Sequence, residues 1–294
     1  MKTINTNLGT CPEFVFNVIK TGARLPDEWR VWQTAVEKFN CNDIQEIDSY
    51  ENLMYKENEA VFIFNGYVYK WFKDIERAKA KEERAKTLKS LCPSIVASCD
   101  SWFCYKFAPG ELLTARTDLL YNYMGWMQFH AWKYLSKLEP VQITQWSSEF
   151  YRLKTKIRLQ AYNYYPDVDW AEIAGKCLLT NYWHGDCSFE NVICKDGCFT
   201  IIDWRENTYG DVYYDLAKLL KSIYFDHRTV TADGSWLPHY NWSKLRGIMR
   251  GWCFDNNYDW KHVKLICALA FFAMAGSHSG SLGQSFFDKG KELL

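Results

Sequence analysis

The sequence predicts an α+β fold in two lobes, a small β-rich lobe followed by a larger α-helical one. Three observations predict it. The 294 residues exceed one minimal core but fall short of a long multidomain array. Short strand-like runs crowd the segment from Ile44 to Phe107, whereas helical periodicity dominates beyond it. Pro109-Gly110 punctuates the change. The sheet-then-helix order therefore divides the chain into residues 1–108, with an accessory N-terminal segment, and residues 109–294.

Trp29, Trp32, Val36 and Phe39 recur at helical spacing, so a helix is expected between Pro26 and Phe39. Ile44 to Asp48, Ala60 to Phe64 and Tyr67 to Phe72 read as strands, with Asn65-Gly66 as a hairpin turn whose residues tolerate positive φ. Asp74 to Leu91 is rich in Ala, Lys, Glu and Arg without Gly or Pro, which predicts a helix. Trp102 to Phe107 is a further strand. Helices are expected at Leu119 to Leu138, Ser147 to Tyr162 and Asp169 to Leu179. A β-interruption follows, Asn191 to Cys194 and Phe199 to Ile202 around Asp196-Gly197. Helices return from Asp215 to Tyr224 and from Trp242 onward.

Composition narrows the functional classes. Lys plus Arg and Asp plus Glu both total 35, which gives no electrostatic reason to expect nucleic acid or an anionic membrane as partner. The longest apolar run, Ile266 to Gly276, is well short of the about 20 residues a membrane span needs. Eleven scattered cysteines without a CxxC pair, and a polar start from Met1 to Thr10, lead to the expectation of reduced thiols in a soluble, cytoplasmic protein. Aromatic residues reach 17%, with 14 Trp, enough for a core and for a ligand-stacking pocket.

The stretch with most chemistry is His184-Gly185-Asp186-Cys187-Ser188-Phe189-Glu190-Asn191, followed by Ile201-Ile202-Asp203-Trp204. Phosphoryl transfer from ATP needs a carboxylate to orient or deprotonate the attacking hydroxyl. It also needs oxygen ligands for Mg2+ and a cation for the α and β phosphates. Five positions separate Asp186 from Asn191, so on one loop the carboxylate can face the acceptor and the amide oxygen a metal. The Asp196-Gly197 hairpin folds Asp203 back beside that loop, as the principal metal ligand. Each residue alone reads as an ordinary loop position. Together and in this order they read as a site.

With Gly210-Asp211 and Asp215-Leu216-Ala217 downstream, the pattern resembles the aminoglycoside phosphotransferase and choline kinase superfamily, small-molecule relatives of protein kinases. The resemblance runs from about Ile44 to Ser222. It implies a bilobal protein-kinase-like fold with a nucleotide-binding N-lobe and ATP between the lobes. The C-lobe would carry the catalytic loop and an acceptor pocket. It implies Asp186 as catalytic aspartate, Asn191 and Asp203 as Mg2+ ligands, and Asp215 as the anchor of the catalytic loop, a role compatible with capping the helix from Leu216. His184 would be architectural.

By the same resemblance the N-lobe supplies a lysine on its third strand. Lys70, inside the aromatic run Tyr67 to Phe72, takes that place, with outward-facing alternation as the plain alternative. Its partner is Glu82, on the stripe of Ile75, Ala78, Ala85 and Leu88, in preference to Glu83 about 100° away. No GxGxxG precedes these strands. Ser49 and Asn52, in Ser49-Tyr50-Glu51-Asn52-Leu53-Met54-Tyr55, stand where the family has a looser phosphate loop. The backbone of Lys106 and Ala108 is expected at the adenine.

Seven residues, Trp204 to Gly210, separate Asp203 from Asp211, too few for a peptide platform and suited to a small hydroxyl acceptor. Trp204, Arg205 and Glu206 should line the acceptor side, with Arg205 pairing either an anionic substituent or Glu206 or Asp211. Trp236, Trp242, Trp252, Trp260, Tyr240 and Tyr258, with Asp255 and Asp259, form either core or an acceptor pocket for an ammonium or sugar group. Choline, an amino alcohol, an amino sugar or a sugar would fit. A catalytically silent nucleotide-binding partner and a protein kinase are the competing readings.

Overall fold

The computed structural model describes residues 3–6, 9–12, 44–47, 54–56, 59–64, 67–99, 102–225, 230, 236, 238 and 241–294. The expected helix from Pro26 to Phe39, the Asn65-Gly66 turn, Ser49, Asn52 and Tyr240 lie outside the described residues. The chain divides into two compact units, Met1–Pro109 and Gly110–Leu294.

In the first unit, strands β1 (Thr3–Thr6), β2 (Gly9–Pro12) and β3 (Ile44–Ile47) form a sheet in the order β2-β1-β3. A five-stranded antiparallel sheet holds β4 (Met54–Lys56), β5 (Glu59–Phe64), β6 (Tyr67–Phe72), β7 (Ile95–Cys99) and β8 (Trp102–Lys106), in the order β4-β5-β6-β8-β7. The sequence pattern did not mark β1, β2, β4 or β7. At three to five residues each, they carry too little alternation to register. Lys70 sits on the central strand, paired with Val61 on one side and Phe103 on the other. Val68, Lys70 and Phe72 alternate along β6 and are all buried, so the lysine does not face outward to solvent.

Helix α1 (Ile75–Leu88) starts at Asp74, whose carboxylate accepts from the Arg77 amide. Its buried face is Ala78, Lys81, Arg84, Ala85 and Leu88, while Ile75 is 43% exposed. The face is thus rotated from the stripe the apolar residues suggested. The cause is Phe72, whose ring lies 5.6 Å from the Arg77 guanidinium carbon and 5.7 Å from the Lys81 ammonium. Long cationic stems cover the ring where an apolar residue was expected.

The second unit is mainly helical. Helix α2 (Leu120–Met127) continues through a π-helical turn and ends at Trp132, short of the expected Leu138. Beyond it Leu135 bridges to Thr180. Helix α3 (Pro140–Ser147) begins earlier than the expected Ser147, because a Glu139/Gln142 capping box and Pro140 in the first turn set its start. It passes through a π-helical turn, Ser148–Leu153, into α4 (Lys154–Arg158). Helix α5 (Trp170–Lys176) is capped by Asp169 and stops before Leu179, which enters β10 (Leu179–Thr180).

A small sheet joins β9 (Glu111–Leu112) to the hairpin of β11 (Val192–Lys195) and β12 (Cys198–Ile201). Asp196 and Gly197 take φ of 49° and 77°, the positive values a two-residue hairpin turn requires. Strand β13 (Gly210–Asp211) pairs with β10 and leads directly into α6 (Val212–Tyr224). Every residue of α6 is buried, and α7 (Trp242–Asp255), α8 (Trp260–Ala275) and α9 (Gly280–Leu293) complete the unit. No described helix is long and apolar enough to cross a membrane.

Candidate active site

The loop from His184 to Asn191 is held from below by α6. The Asp215 carboxylate accepts from the His184 amide at 2.7 Å, the Gly185 amide at 2.8 Å and the Trp132 indole at 3.1 Å. It is fully buried. Burial raises this carboxyl, and the His184 ring and the three N–H donors oppose the rise. One turn on, the Lys218 ammonium lies 2.5 Å from Asp186 Oδ1. A further turn on, the Ser222 hydroxyl accepts from the Phe189 amide at 3.2 Å. Capping of α6 falls to Asp211, which accepts from the Tyr213 amide, so the expectation that Asp215 could double as the cap is corrected.

Gly185 has φ of +81°, and a Cβ there would lie 2.6 Å from Cβ of Arg205. Glycine is therefore needed for both conformation and space. His184 is fully buried, its Nδ1 accepting from the Asp186 amide at 3.2 Å. Burial lowers its pKa against the carboxylates of Asp215, Asp186 and Asp203, which keeps the imidazole neutral. The ring is thus bonded within the loop itself.

The loop then folds on itself. Ser188 N donates to Asp186 O at 2.7 Å, Asn191 N to Ser188 O at 3.0 Å, and Asn191 Nδ2 to Asp186 O at 2.9 Å. This bond commits the Asn191 amide nitrogen to the loop backbone. Across the hairpin, Ile202 N donates to Asn191 O at 2.9 Å, and Asp203 follows with φ of +57°. Arg205 N donates to His184 O at 2.9 Å. The backbone bonds thus bring the segments bearing Asp186, Asn191 and Asp203 side by side. No cluster of three or more His, Cys, Asp or Glu suited to a metal occurs among the described residues.

Four cations surround Asp186: Lys218, Lys221, Arg205 and Lys154. Burial acts to raise the Asp186 carboxyl, but Lys218, Lys221 and Arg205 hold it well below the usual carboxylate range. A third of its side-chain surface, 33%, stays accessible. Burial, then repulsion from Lys218, pushes the Lys221 ammonium down to about 8. Burial, then Arg205, Arg158 and Lys218, pushes Lys154 down to about 7. Sequence reading missed three of the four. Lys218 and Lys221 look like stray charges on an apolar helix. The signal, had it been weighed, was two lysines at i and i+3 after Asp215 in a stretch otherwise almost wholly apolar.

Of the expected acceptor residues, Arg205 neighbours Asp186 and donates to the Tyr214 hydroxyl at 3.2 Å. Glu206 is half-buried beside it. Trp204 is 1% exposed and offers no surface to a ligand, a correction to its expected role. The aromatic cluster resolves largely into core. Trp252 stacks on Tyr258 at 5.5 Å and packs edge-on against Trp132, while Trp236 packs on Phe225 and Phe286. Asp259 caps α8 and pairs with Lys176 at 2.8 Å. A cavity of about 840 Å³ opens along the α3–α4 segment, lined by Ser148, Arg152, Lys156, Asn163 and Tyr164, and includes none of the expected site residues.

In the first unit Lys70 is 5% exposed. The Glu82 carboxylate accepts from the Ser98 hydroxyl at 3.0 Å and lies 3.9 Å from Lys86. Glu83 is exposed and pairs with Lys86 at 2.9 Å, so Glu82 is the one of the two turned toward the sheet. Lys106 ends β8 and Ala108 follows it, next to the boundary at Pro109.

Residues 129–248 match the model of the phosphotransferase enzyme family. No curated protein sequence matches the chain. Among solved structures, choline kinase from Cryptosporidium parvum Iowa II aligns at 11% identity and a TM-score of 0.53, covering 82% of this chain and 87% of that one. The amicoumacin kinase hAmiN, in complex with AMP-PNP, Ca2+ and Ami, aligns at 13% and 0.53, covering 91% and 93%. Plasmodium vivax ethanolamine kinase aligns at 12% and 0.51, covering 96% and 92%. These structural likenesses establish an α+β, kinase-like fold, and the family match bears out the resemblance read from the motifs.

Proposed function

From the family match over residues 129–248, we propose that this chain transfers the γ-phosphate of ATP to a hydroxyl of a small molecule. The observation that carries the reading is the loop moored by Asp215. On that loop Asp186, with an accessible carboxylate, lies next to Asn191, whose side-chain amide donates to the Asp186 backbone carbonyl and whose own carbonyl accepts from the hairpin that leads to Asp203. Asp186 orients the acceptor hydroxyl and takes its proton late in an in-line transfer. Asn191 and Asp203 would hold Mg2+. Two oxygen ligands suit an ion that keeps phosphate and water oxygens in most of its coordination sites. When bound, that ion offsets the phosphate charge.

Residues 1–108 bind the nucleotide in this reading. Lys70, supported by Glu82, steadies the α and β phosphates, Ser49 and Asn52 cradle them through the backbone, and the backbone at Lys106 and Ala108 meets the adenine. The short segment from Trp204 to Gly210 suits a small acceptor. The test is ATP consumption with and without Mg2+ against a panel of hydroxyl compounds. Asp186→Ala and Asp203→Ala should each lower turnover by roughly two or more orders of magnitude with an unchanged circular dichroism spectrum. Near-native rates in either variant remove that residue from the mechanism.

A further inference from the structure

We propose that the acceptor carries an anionic group, a carboxylate or a phosphate monoester, near the hydroxyl that is phosphorylated, and that the half-buried Arg205 and Lys154 receive it, with the buried Lys218 and Lys221 adding positive charge behind Asp186. The inference rests on the reading of Asp186 as the catalytic carboxylate. The four cations come from three separate elements: α4, the segment after Asp203, and α6. All bear on Asp186, and among the described residues only Lys218 is ion-paired to a carboxylate.

The others rest on aromatic surface instead. The Arg205 guanidinium carbon lies 5.8 Å from the Phe150 ring centre and 5.4 Å from that of Tyr214. The Lys154 ammonium lies 4.9 Å from the same Phe150 ring, and Phe150 and Tyr214 meet edge-on at 4.9 Å. The Lys221 ammonium lies 5.8 Å from Phe225. A ring face partly relieves a cation but does not neutralise it. Burial is the first cause that lowers the Lys154 and Lys221 pKa values, and neighbouring cations add to it: Arg205, Arg158 and Lys218 at Lys154, and Lys218 at Lys221.

A cationic acceptor would enter against this field. An anionic one would satisfy it, and a planar carboxylate or a phosphate matches the fork of Arg205. Asp186 is joined by Glu206 and Asp215 at Arg205 and by Glu190 at Lys221, while at Lys154 three cations, Arg205, Arg158 and Lys218, oppose it. Glycerol, choline, D-glycerate and glycerol 3-phosphate form a series in which the hydroxyl stays and the charge changes sign, and the last two separate carboxylate from phosphate.

The experiment is calorimetric binding of these four compounds to the full chain, with AMP-PNP and Mg2+ titrated separately, and phosphate transfer from ATP measured in parallel. Lys154→Met and Lys221→Met serve as variants, checked for folding by circular dichroism. Glycerate or glycerol 3-phosphate should bind at least tenfold tighter than glycerol or choline. That affinity should fall about tenfold in each variant and with added salt, while AMP-PNP affinity stays constant. Tighter binding of choline overturns the inference, as does an anion affinity that the variants leave unmoved. Loss of AMP-PNP affinity in the variants overturns it too, by giving the cluster to the nucleotide phosphates. Anion binding without any phosphate transfer would leave this site standing and remove the proposed reaction. Phosphorylation of choline without anion binding would do the reverse.

Discussion

Replacing Asp215 and Asp211 with Asn should have opposite consequences, although both carboxylates are fully buried and lie four residues apart. Asp215 accepts from three nitrogens that can only donate: two backbone amides and an indole. In Asp215→Asn the amide side chain, turned either way, directs its NH2 at one or more of them. Its best arrangement keeps the oxygen where Oδ2 accepts from His184 and Trp132, which leaves the Gly185 amide facing a donor at the distance of a hydrogen bond. One orphaned buried donor costs about 1–3 kcal/mol, and two charge-assisted bonds become neutral ones. The sum is about 2–4 kcal/mol. Asp211 accepts at Oδ1 from the Leu178 and Tyr213 amides, and at Oδ2 from the Tyr151 hydroxyl at 2.8 Å. An Asn keeps Oδ1 for the amides and still caps the helix, and the hydroxyl can rotate to accept from the new NH2. Asp211→Asn should therefore stay within about 1 kcal/mol of wild type at neutral pH, or exceed it. Equilibrium urea unfolding followed by tryptophan fluorescence reads both. Equal losses of stability in the two variants would refute the distinction between reversible and irreversible donors.

Burial pushes the Asp211 carboxyl from 3.8 up to about 6. The folded chain therefore holds a proton that the unfolded chain has released, and stability should fall as pH rises from about 4 to 6, by about 3 kcal/mol at most. Urea midpoints across that window should lose this slope in Asp211→Asn. Gly210→Ala should cost at least about 3 kcal/mol, since its Cβ would fall 1.7 Å from the ring of the fully buried Trp183; a thermal midpoint within a few degrees of wild type would contradict that packing. Lys218→Met leaves burial to act on Asp186 with less opposition, so the acid limb of the pH–rate profile should move to higher pH. An unmoved limb would show that Asp186 is not the group whose ionisation the rate reports.

Much of this site is legible in the sequence because its parts are local. Asp196-Gly197 dictates a tight hairpin, and a tight hairpin returns Asp203 to Asn191 with no further information needed. The five-residue gap from Asp186 to Asn191 closes through a side-chain bond to a carbonyl, again a local matter. What escaped detection depends on packing between distant segments. Lys154 lies inside the helix expected from Ser147 to Tyr162, but nothing local to that helix says that its side chain turns onto Phe150 toward the segment of Arg205. Lys218 and Lys221 were masked by the habit of reading lysine as solvent-facing, a habit that fails on a helix buried on every side. The glycine of Gly210-Asp211 looked like a motif letter, whereas its cause is the indole of Trp183.

The spacing of Asp215, Lys218 and Ser222 makes α6 a ruler for the loop above it. Three fixed marks over about 10 Å of helix set where His184, Asp186 and Phe189 must stand. A single residue inserted between positions 184 and 189 would throw at least one mark out of step, and the helix, enclosed throughout, has no slack to follow. Evolution of new acceptor preferences in such a molecule is thereby steered to the walls around Asp186, because the length of its platform is already spoken for.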